Sequence, residues 1–177
     1  VLFVGFIFLC VIIHMFCALR RFPTSYKKLH DLHSHVKLVH HEDTTPWYVQ
    51  LITAFALFLL VFPHLMTMLT NPHGFDPNLI GVHTYHNGLL YTFIFLVCTE
   101  LHGMIGLYRL AVKWDIFAKN PDSKIMDQRA ATDRTGLRKG MLVVALLMIV
   151  GGSITMWTNY SIGADQVAKN AEAERYV

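Results

Sequence analysis

Four long apolar runs constrain this chain more than any other feature. They cover roughly residues 1–19, 47–70, 85–112 and 138–158. A helix of about 20 apolar residues can cross the hydrocarbon core of a bilayer. Hydrophobic residues make up 54% of the 177 positions and charged residues only 15%, which is unusual for a soluble domain. The sequence therefore predicts an all-α transmembrane helix bundle that forms one membrane domain over residues 1–177.

The position of the basic residues around the first apolar run indicates a spanning helix. Its basic residues, Arg20 and Arg21, follow the apolar stretch, whereas a signal peptide would place them before it. The chain also begins with Val1 rather than Met. We therefore expect residues 1–19 to span the membrane and further residues to precede Val1 in the protein.

The basic residues predict the orientation of these spans. Thirteen of the 15 lie in segments 20–46 and 109–139, while segment 71–84 has none. Short loops rich in Lys and Arg stay on the cytoplasmic side of a membrane. We therefore expect cytoplasmic loops at 20–46 and 113–137, and an outer tail at 159–177. Because the basic residues flank spans and are diluted by acidic ones, they indicate topology and do not favour nucleic-acid binding.

Proline and polar residues predict the limits of the second span. Thr45 and Pro46 form an N-cap followed by a proline at the first helical position. Asn71 and Pro72 should end the helix. Pro63 lies inside it and should kink it.

Five of the eleven histidines crowd into the segment HDLHSHVKLVHH, residues 30–41. His30, His33 and His41 could share one helical face and bind a metal ion. Their spacing matches no recognised ligand pattern, and no cysteine accompanies them. The segment is therefore interpreted as a solvated cytoplasmic helix, with a metal site as the alternative.

Three other histidines lie inside apolar runs, where ionisable groups are costly and usually functional. At a rise of about 1.5 Å per residue, His14 and His102 lie roughly 9 and 16 Å from the cytoplasmic end, and His64 lies in the outer half. Neutral imidazoles from facing helices are the axial ligands of b-type haem iron. His14 and His102 thus form one candidate pair, and His64 is half of a second.

Charged residues near these histidines suggest further roles. At about 100° per residue, Lys113 lies within about 20° of the face of His102, and Arg21 follows His14 on its own face. Either cation could neutralise haem propionates, and Arg21 could also be a topology charge only. Glu100 points about 200° away from His102 and cannot bind the same iron. It could carry a proton or hydrogen-bond to a neighbouring helix.

Four segments carry a resemblance that covers residues 1–158: IIHMFCALRRFP, HEDTTPWYVQLITAFALF, VFPHLMTM and TELHGMIGLYRLAVKW. In order and spacing they resemble the dihaem cytochrome b subunits of bacterial quinol:fumarate reductases, within the succinate dehydrogenase/fumarate reductase family. The resemblance implies five spanning helices, four of them visible here, in the bacterial cytoplasmic membrane. It also implies a flavoprotein subunit that reduces fumarate, an iron–sulfur subunit that relays electrons, and a dimer of the heterotrimer as one assembly.

The resemblance also implies roles for individual residues. His14 and His102 match the ligands of the proximal haem. His64 matches one ligand of the distal haem, and its partner belongs to the family's first helix, which is not among residues 1–177. Trp47 and Lys113 match groups that contact propionates of the proximal haem.

The resemblance implies that this subunit, in contact with membrane lipid, oxidises menaquinol (the reduced form of menaquinone) or another quinol. Glu100 matches the acid proposed to pass protons across the membrane. Three alternatives remain open. They are a succinate:quinone reductase anchor, the cytochrome b subunit of a formate dehydrogenase or hydrogenase, and a haem-free proton channel or transporter. The absence of an inverted repeat in the sequence speaks against the last.

Overall fold

The computed structural model describes residues 2–20, 25–38, 44–70, 76–114 and 126–174. All regular secondary structure within these ranges is helical, so the predicted all-α class is confirmed. The helices are α1 (Leu2–Leu19), α2 (Tyr26–Leu38), α3 (Thr44–Thr70), α4 (Pro77–His83), α5 (Leu89–Lys113) and α6 (Met126–Glu174), and a π-helical turn (Thr84–Gly88) joins α4 to α5.

Three helices are long and apolar enough to cross a membrane. They span Thr44–Met66, Leu89–Lys113 and Arg134–Asn170. Three of the four predicted spans fall on these helices, and the transmembrane character of the chain is confirmed. The fourth predicted span coincides with α1, which has 18 residues and is about 27 Å long. Its described apolar part, Gly5–Leu19, is shorter than the other three, so this span stays a prediction.

The chain divides into two compact units, Val1–Tyr48 and Val49–Val177. In the first unit, the α1 side chains are mostly exposed. Helix α2 confirms the predicted helix for residues 30–38 of the histidine-rich segment, and residues 39–41 lie outside the described ranges. His33 on α2 contacts Tyr48, with Nδ1 3.1 Å from the hydroxyl oxygen.

Helix α3 begins at Thr44, one residue before the predicted N-cap Thr45. Pro46 therefore lies in the first turn, where its missing N–H leaves no intrahelical hydrogen bond unmade. The helix ends at Thr70, directly before Asn71, as predicted. Pro63 lies inside the helix, and a kink there stays a prediction.

The second unit is more helical than its polar segments suggested. Within the expected outer loop 71–84, α4 begins at Pro77, and the Asp76 side chain caps it by accepting the Asn78 N–H at 3.2 Å. Helix α6 continues through the expected tail to Glu174. Its 49 residues make it about 74 Å long, well over the ~30 Å thickness of a hydrocarbon core.

Glycines let α6 approach its neighbours closely. A Cβ atom at Gly81 of α4 would lie 2.9 Å from both the Asn159 carbonyl oxygen and the Gly163 backbone nitrogen. The Leu96 side chain of α5 packs directly over Gly152. The second unit is thus held together by backbone-close helix contacts, the packing that small residues permit in membranes.

Candidate functional site

The structure places four predicted site residues in the second unit. His64 lies on α3, while Glu100, His102 and Lys113 lie on α5. Lys113 is the last residue of α5 and is exposed, whereas the other three are half-buried.

Two further predicted residues belong to the first unit. His14 is exposed on α1, and Trp47 is half-buried in the first turn of α3. Arg21 lies outside the described residues. The pairing of His14 with a histidine of the second unit therefore stays a prediction.

The imidazole of His102 is held by the backbone of α3. Its Nδ1 atom lies 3.2 Å from the Gln50 carbonyl oxygen. A carbonyl oxygen can only accept a hydrogen bond, so this contact assigns the ring proton to Nδ1. In a neutral imidazole the lone pair is then on Nε2. This is the arrangement in which a histidine binds a metal through one nitrogen while the other is anchored.

Thr53 adds a second acceptor for the same nitrogen. Its side chain is buried, 6% exposed, and Oγ1 lies 3.4 Å from His102 Nδ1. The hydroxyl donates within its own helix, at 2.9 Å from the Val49 carbonyl oxygen and 3.1 Å from that of Gln50. Because its proton is used there, an oxygen lone pair is left for His102. Sequence reasoning missed Gln50 and Thr53, although two polar residues three apart in an apolar span were a visible signal.

The Gln50 side chain makes a further contact with α5. Its Oε1 atom accepts a hydrogen bond from Arg109 Nη1 at 2.6 Å. Gly106 makes room for this side chain, since a Cβ atom there would lie 3.0 Å from Gln50 Nε2. His102, Gly106 and Arg109 follow one another at spacings of four and three residues, which places them on one face of α5. Sequence reasoning counted Arg109 only as a topology charge.

His64 occupies a different environment. Its ring packs against Phe95 of α5, with centroids 4.9 Å apart and planes tilted by 32°. The preceding residue, Pro63, has no backbone N–H, and a proline ring inside a helix crowds the carbonyl group four residues before it. The Tyr91 hydroxyl donates to the Leu60 carbonyl oxygen at 2.5 Å and also meets the His64 backbone N–H. The carbonyl and the N–H belong to one helical turn, so Tyr91 supports the backbone that carries His64.

The histidines within the described ranges do not form a site for a bare metal ion. Among the described residues, no three His, Cys, Asp or Glu side chains converge on one point. In the histidine-rich segment, His41 lies outside the described ranges, so the alternative metal site is not tested there. A haem iron needs only two axial protein ligands, because the macrocycle supplies the other four. Single histidines such as His64 and His102 fit that requirement.

Comparisons with known proteins cover most of this chain. A family model described as succinate dehydrogenase/fumarate reductase transmembrane subunit matches residues 27–155. A fumarate reductase cytochrome b subunit from Helicobacter pylori strain 26695 is 39% identical over 151 residues, covering 84% of this chain and 54% of the relative. The subunit of that name from Wolinella succinogenes is 34% identical over 171 residues, covering 95% of this chain and 63% of the relative. The chain therefore spans between about half and two thirds of the length of these relatives.

Proposed function

Because the chain belongs to the succinate dehydrogenase/fumarate reductase transmembrane subunit family, we propose that it anchors a quinol:fumarate reductase in the bacterial cytoplasmic membrane. In this role it oxidises menaquinol or another quinol. It passes the electrons through two b haems to iron–sulfur and flavoprotein subunits. Reduction of fumarate belongs to the flavoprotein subunit, so this chain needs no fumarate site.

The observation that carries the proposal is the anchored imidazole of His102. Its Nδ1 proton faces the Gln50 carbonyl oxygen at 3.2 Å, which leaves the lone pair on Nε2. A haem bound there would supply a one-electron carrier through its ferric and ferrous states. The chain's own contribution is to fix the ring's tautomer and rotation. Fixed ligation keeps the rearrangement that accompanies electron transfer small.

The remaining cofactor-binding roles follow the resemblance. We propose His14 as the second ligand of the proximal haem and His64 as one ligand of the distal haem. The Phe95 ring against His64 supports this, because a rigid aromatic neighbour limits rotation of the imidazole. Lys113, exposed at the end of α5, would neutralise propionates of the proximal haem, and Trp47 would contact them. Arg21, seven residues after His14, is a further candidate cation for that haem.

Glu100 is proposed to move protons. It is half-buried on α5, two residues before His102, and so lies on a different face of the helix. A carboxyl group there can accept and release a proton without binding the iron. Proton transfer across the membrane through Glu100 would accompany the electron transfer through the haems.

One second candidate function is favoured by an observation. The description of the matched family names succinate dehydrogenase as well as fumarate reductase. The same ligands and the same electron path serve succinate oxidation with quinone reduction, since redox reactions are reversible. The match concerns neither formate dehydrogenase nor hydrogenase cytochromes, and those alternatives are not proposed.

The test is the substitution His102→Ala in the complete, purified complex. We expect the reduced-minus-oxidised visible spectrum to show one b haem where the unaltered complex shows two. Quinol oxidation should lose its coupling to fumarate reduction. His33→Ala is the control, because that exposed histidine lies on α2 and bonds to Tyr48. A His102→Ala complex that kept both haems would refute the ligand role, and an unaltered complex without haem would refute the function.

A further inference from the structure

Arg109 and Gln50 form a second polar contact on the face of α5 that carries His102. We propose that Arg109, positioned by Gln50, binds a propionate carboxylate of the haem held by His102. The proposal rests on the proposed function, and it adds a cation that the resemblance did not assign.

The positions of the three residues support a common ligand. Arg109 follows His102 by seven residues, which is about 20° short of two full turns and about 10 Å along the helix axis. That length is comparable with the distance from a haem iron to the end of a propionate. Gln50 contacts both residues, through its backbone oxygen at 3.2 Å from His102 Nδ1 and its Oε1 at 2.6 Å from Arg109 Nη1. One residue of α3 thus sets the positions of the imidazole and the guanidinium together.

The charge of Arg109 is left without a counter-charge by this contact. Gln50 is neutral, so it orients the guanidinium but does not neutralise it. Among the residues that the structure describes, Arg109 makes one hydrogen bond, to Gln50, and no carboxylate in these ranges forms an ion pair with it. A guanidinium has five N–H donors in a planar fork that matches a carboxylate. The remaining donors and the full positive charge suit an anionic group of that shape.

A basic residue that marks topology alone would extend its side chain to water. Arg109 is exposed, but its guanidinium also reaches α3, at 2.6 Å from the side-chain oxygen of Gln50. Gly106 makes this possible, because a Cβ atom there would press on the Gln50 amide at 3.0 Å. The face therefore combines a gap, a neutral acceptor and a positioned cation, which a simple topology charge does not require.

The proposal predicts a change in the redox equilibrium of one haem. A positive charge near the iron favours the ferrous form, so removing it lowers the midpoint potential. At about 10 Å, with an effective dielectric constant of about 20, a unit charge changes the equilibrium constant roughly tenfold. For a one-electron couple this corresponds to about 60 mV.

The experiment is a redox titration of each haem in the complete complex carrying Arg109→Gln. The matched control is Arg134→Gln, which removes the same charge from an exposed arginine on α6. We expect Arg109→Gln to lower the midpoint potential of the haem that His102→Ala removes. The shift should be about 60 mV, which is about tenfold in the equilibrium constant for reduction. Arg134→Gln and the charge-preserving Arg109→Lys should change it by less than about twofold.

Gln50→Met provides a second variant that retains every charge. It removes the acceptor Oε1 but keeps the backbone carbonyl that faces His102, so the haem should remain bound. Once the guanidinium is released, the equilibrium constant for reduction of that haem should fall about threefold, and its midpoint potential should fall accordingly. This variant decides the question if Arg109→Gln fails to assemble.

Several outcomes would overturn the proposal. Equal shifts in Arg109→Gln and Arg134→Gln would show a general effect of surface charge. An unchanged potential with loss of the soluble subunits would assign the guanidinium to a carboxylate of a partner subunit. An unchanged potential in Gln50→Met would remove the positioning role. A colourless unaltered complex would instead refute the proposed function, and so the two failures are distinguishable.

Discussion

Thr53→Val tests how α3 tunes His102, the proposed haem ligand. Valine has nearly the shape of threonine but lacks the oxygen that lies 3.4 Å from His102 Nδ1. The Gln50 carbonyl oxygen, at 3.2 Å from the same nitrogen, is backbone and survives the substitution. The ring should therefore keep its tautomer and the haem should stay bound, while one of two acceptors is lost.

The expected magnitude follows from the geometry. A contact of 3.4 Å is slightly longer than usual N–H···O hydrogen bonds, so its contribution should be near the low end of the usual range, about 0.6 kcal/mol. An acceptor on the ring N–H makes the imidazole a stronger donor to iron and favours the ferric form. The hydrogen bond is present in both oxidation states, so only the difference in its strength shifts the potential. Its loss should therefore raise the midpoint potential by at most about 30 mV for one electron, which is about threefold in the equilibrium constant of reduction.

The assay is a potentiometric titration of the complete complex, with the haem assigned by its absence in His102→Ala. Thr155→Val is the matched control, because that hydroxyl also donates within its own helix, to the Gly151 carbonyl oxygen at 3.1 Å. A downward shift, or an equal shift in the control, would contradict the argument. The predicted sign is opposite to that for Arg109→Gln, so a general loosening of the protein cannot produce both results.

Two further predictions concern His64, the proposed distal ligand, and the packing of α6. Tyr91→Phe removes the hydrogen-bond donor to the Leu60 carbonyl oxygen and should lower the free energy of unfolding by about 1–3 kcal/mol. It should alter the potential of the haem that His64→Ala removes, and an unchanged potential would refute that link. Gly163→Ala places a methyl group against the Gly81 carbonyl and should cost about 2–3 kcal/mol in thermal unfolding. Gly151→Ala has open space and should be neutral or slightly stabilising, and equal behaviour of the two alanines would refute the packing argument.

The sequence predicted the spanning helices because a bilayer imposes a strong, simple requirement on length and hydropathy. It also singled out His64 and His102, since an ionisable group in an apolar run is costly and therefore conspicuous. Helix α4 was missed although its signals, Asp76 before Pro77, were present. A seven-residue helix is easily taken for part of a loop.

The contacts of His102 were beyond the reach of sequence reasoning for a different reason. They depend on how α3 and α5 are rotated and shifted relative to each other. Helical periodicity identifies a face but not the partner of that face. Gln50 and Thr53 are 52 and 49 residues before His102, and only the packed helices bring them together.

The continuation of α6 was missed because the polar residues after 158 were interpreted as a tail. Polarity there reports the change from lipid to water, not the end of the helix. The segment to Glu174 contains alanines and other helix-compatible residues without proline, and a Lys169–Asp165 ion pair of 2.6 Å lies along it.

The length of α6 has a consequence for its apolar part. Every helix end leaves four N–H or C=O groups without partners, and such groups are costly in hydrocarbon. The apolar stretch 138–158 lies more than three turns from either end of α6. Fraying at Met126 or Glu174 therefore cannot reach the lipid-facing backbone, and amide protons there should exchange with solvent far more slowly than those at the two ends.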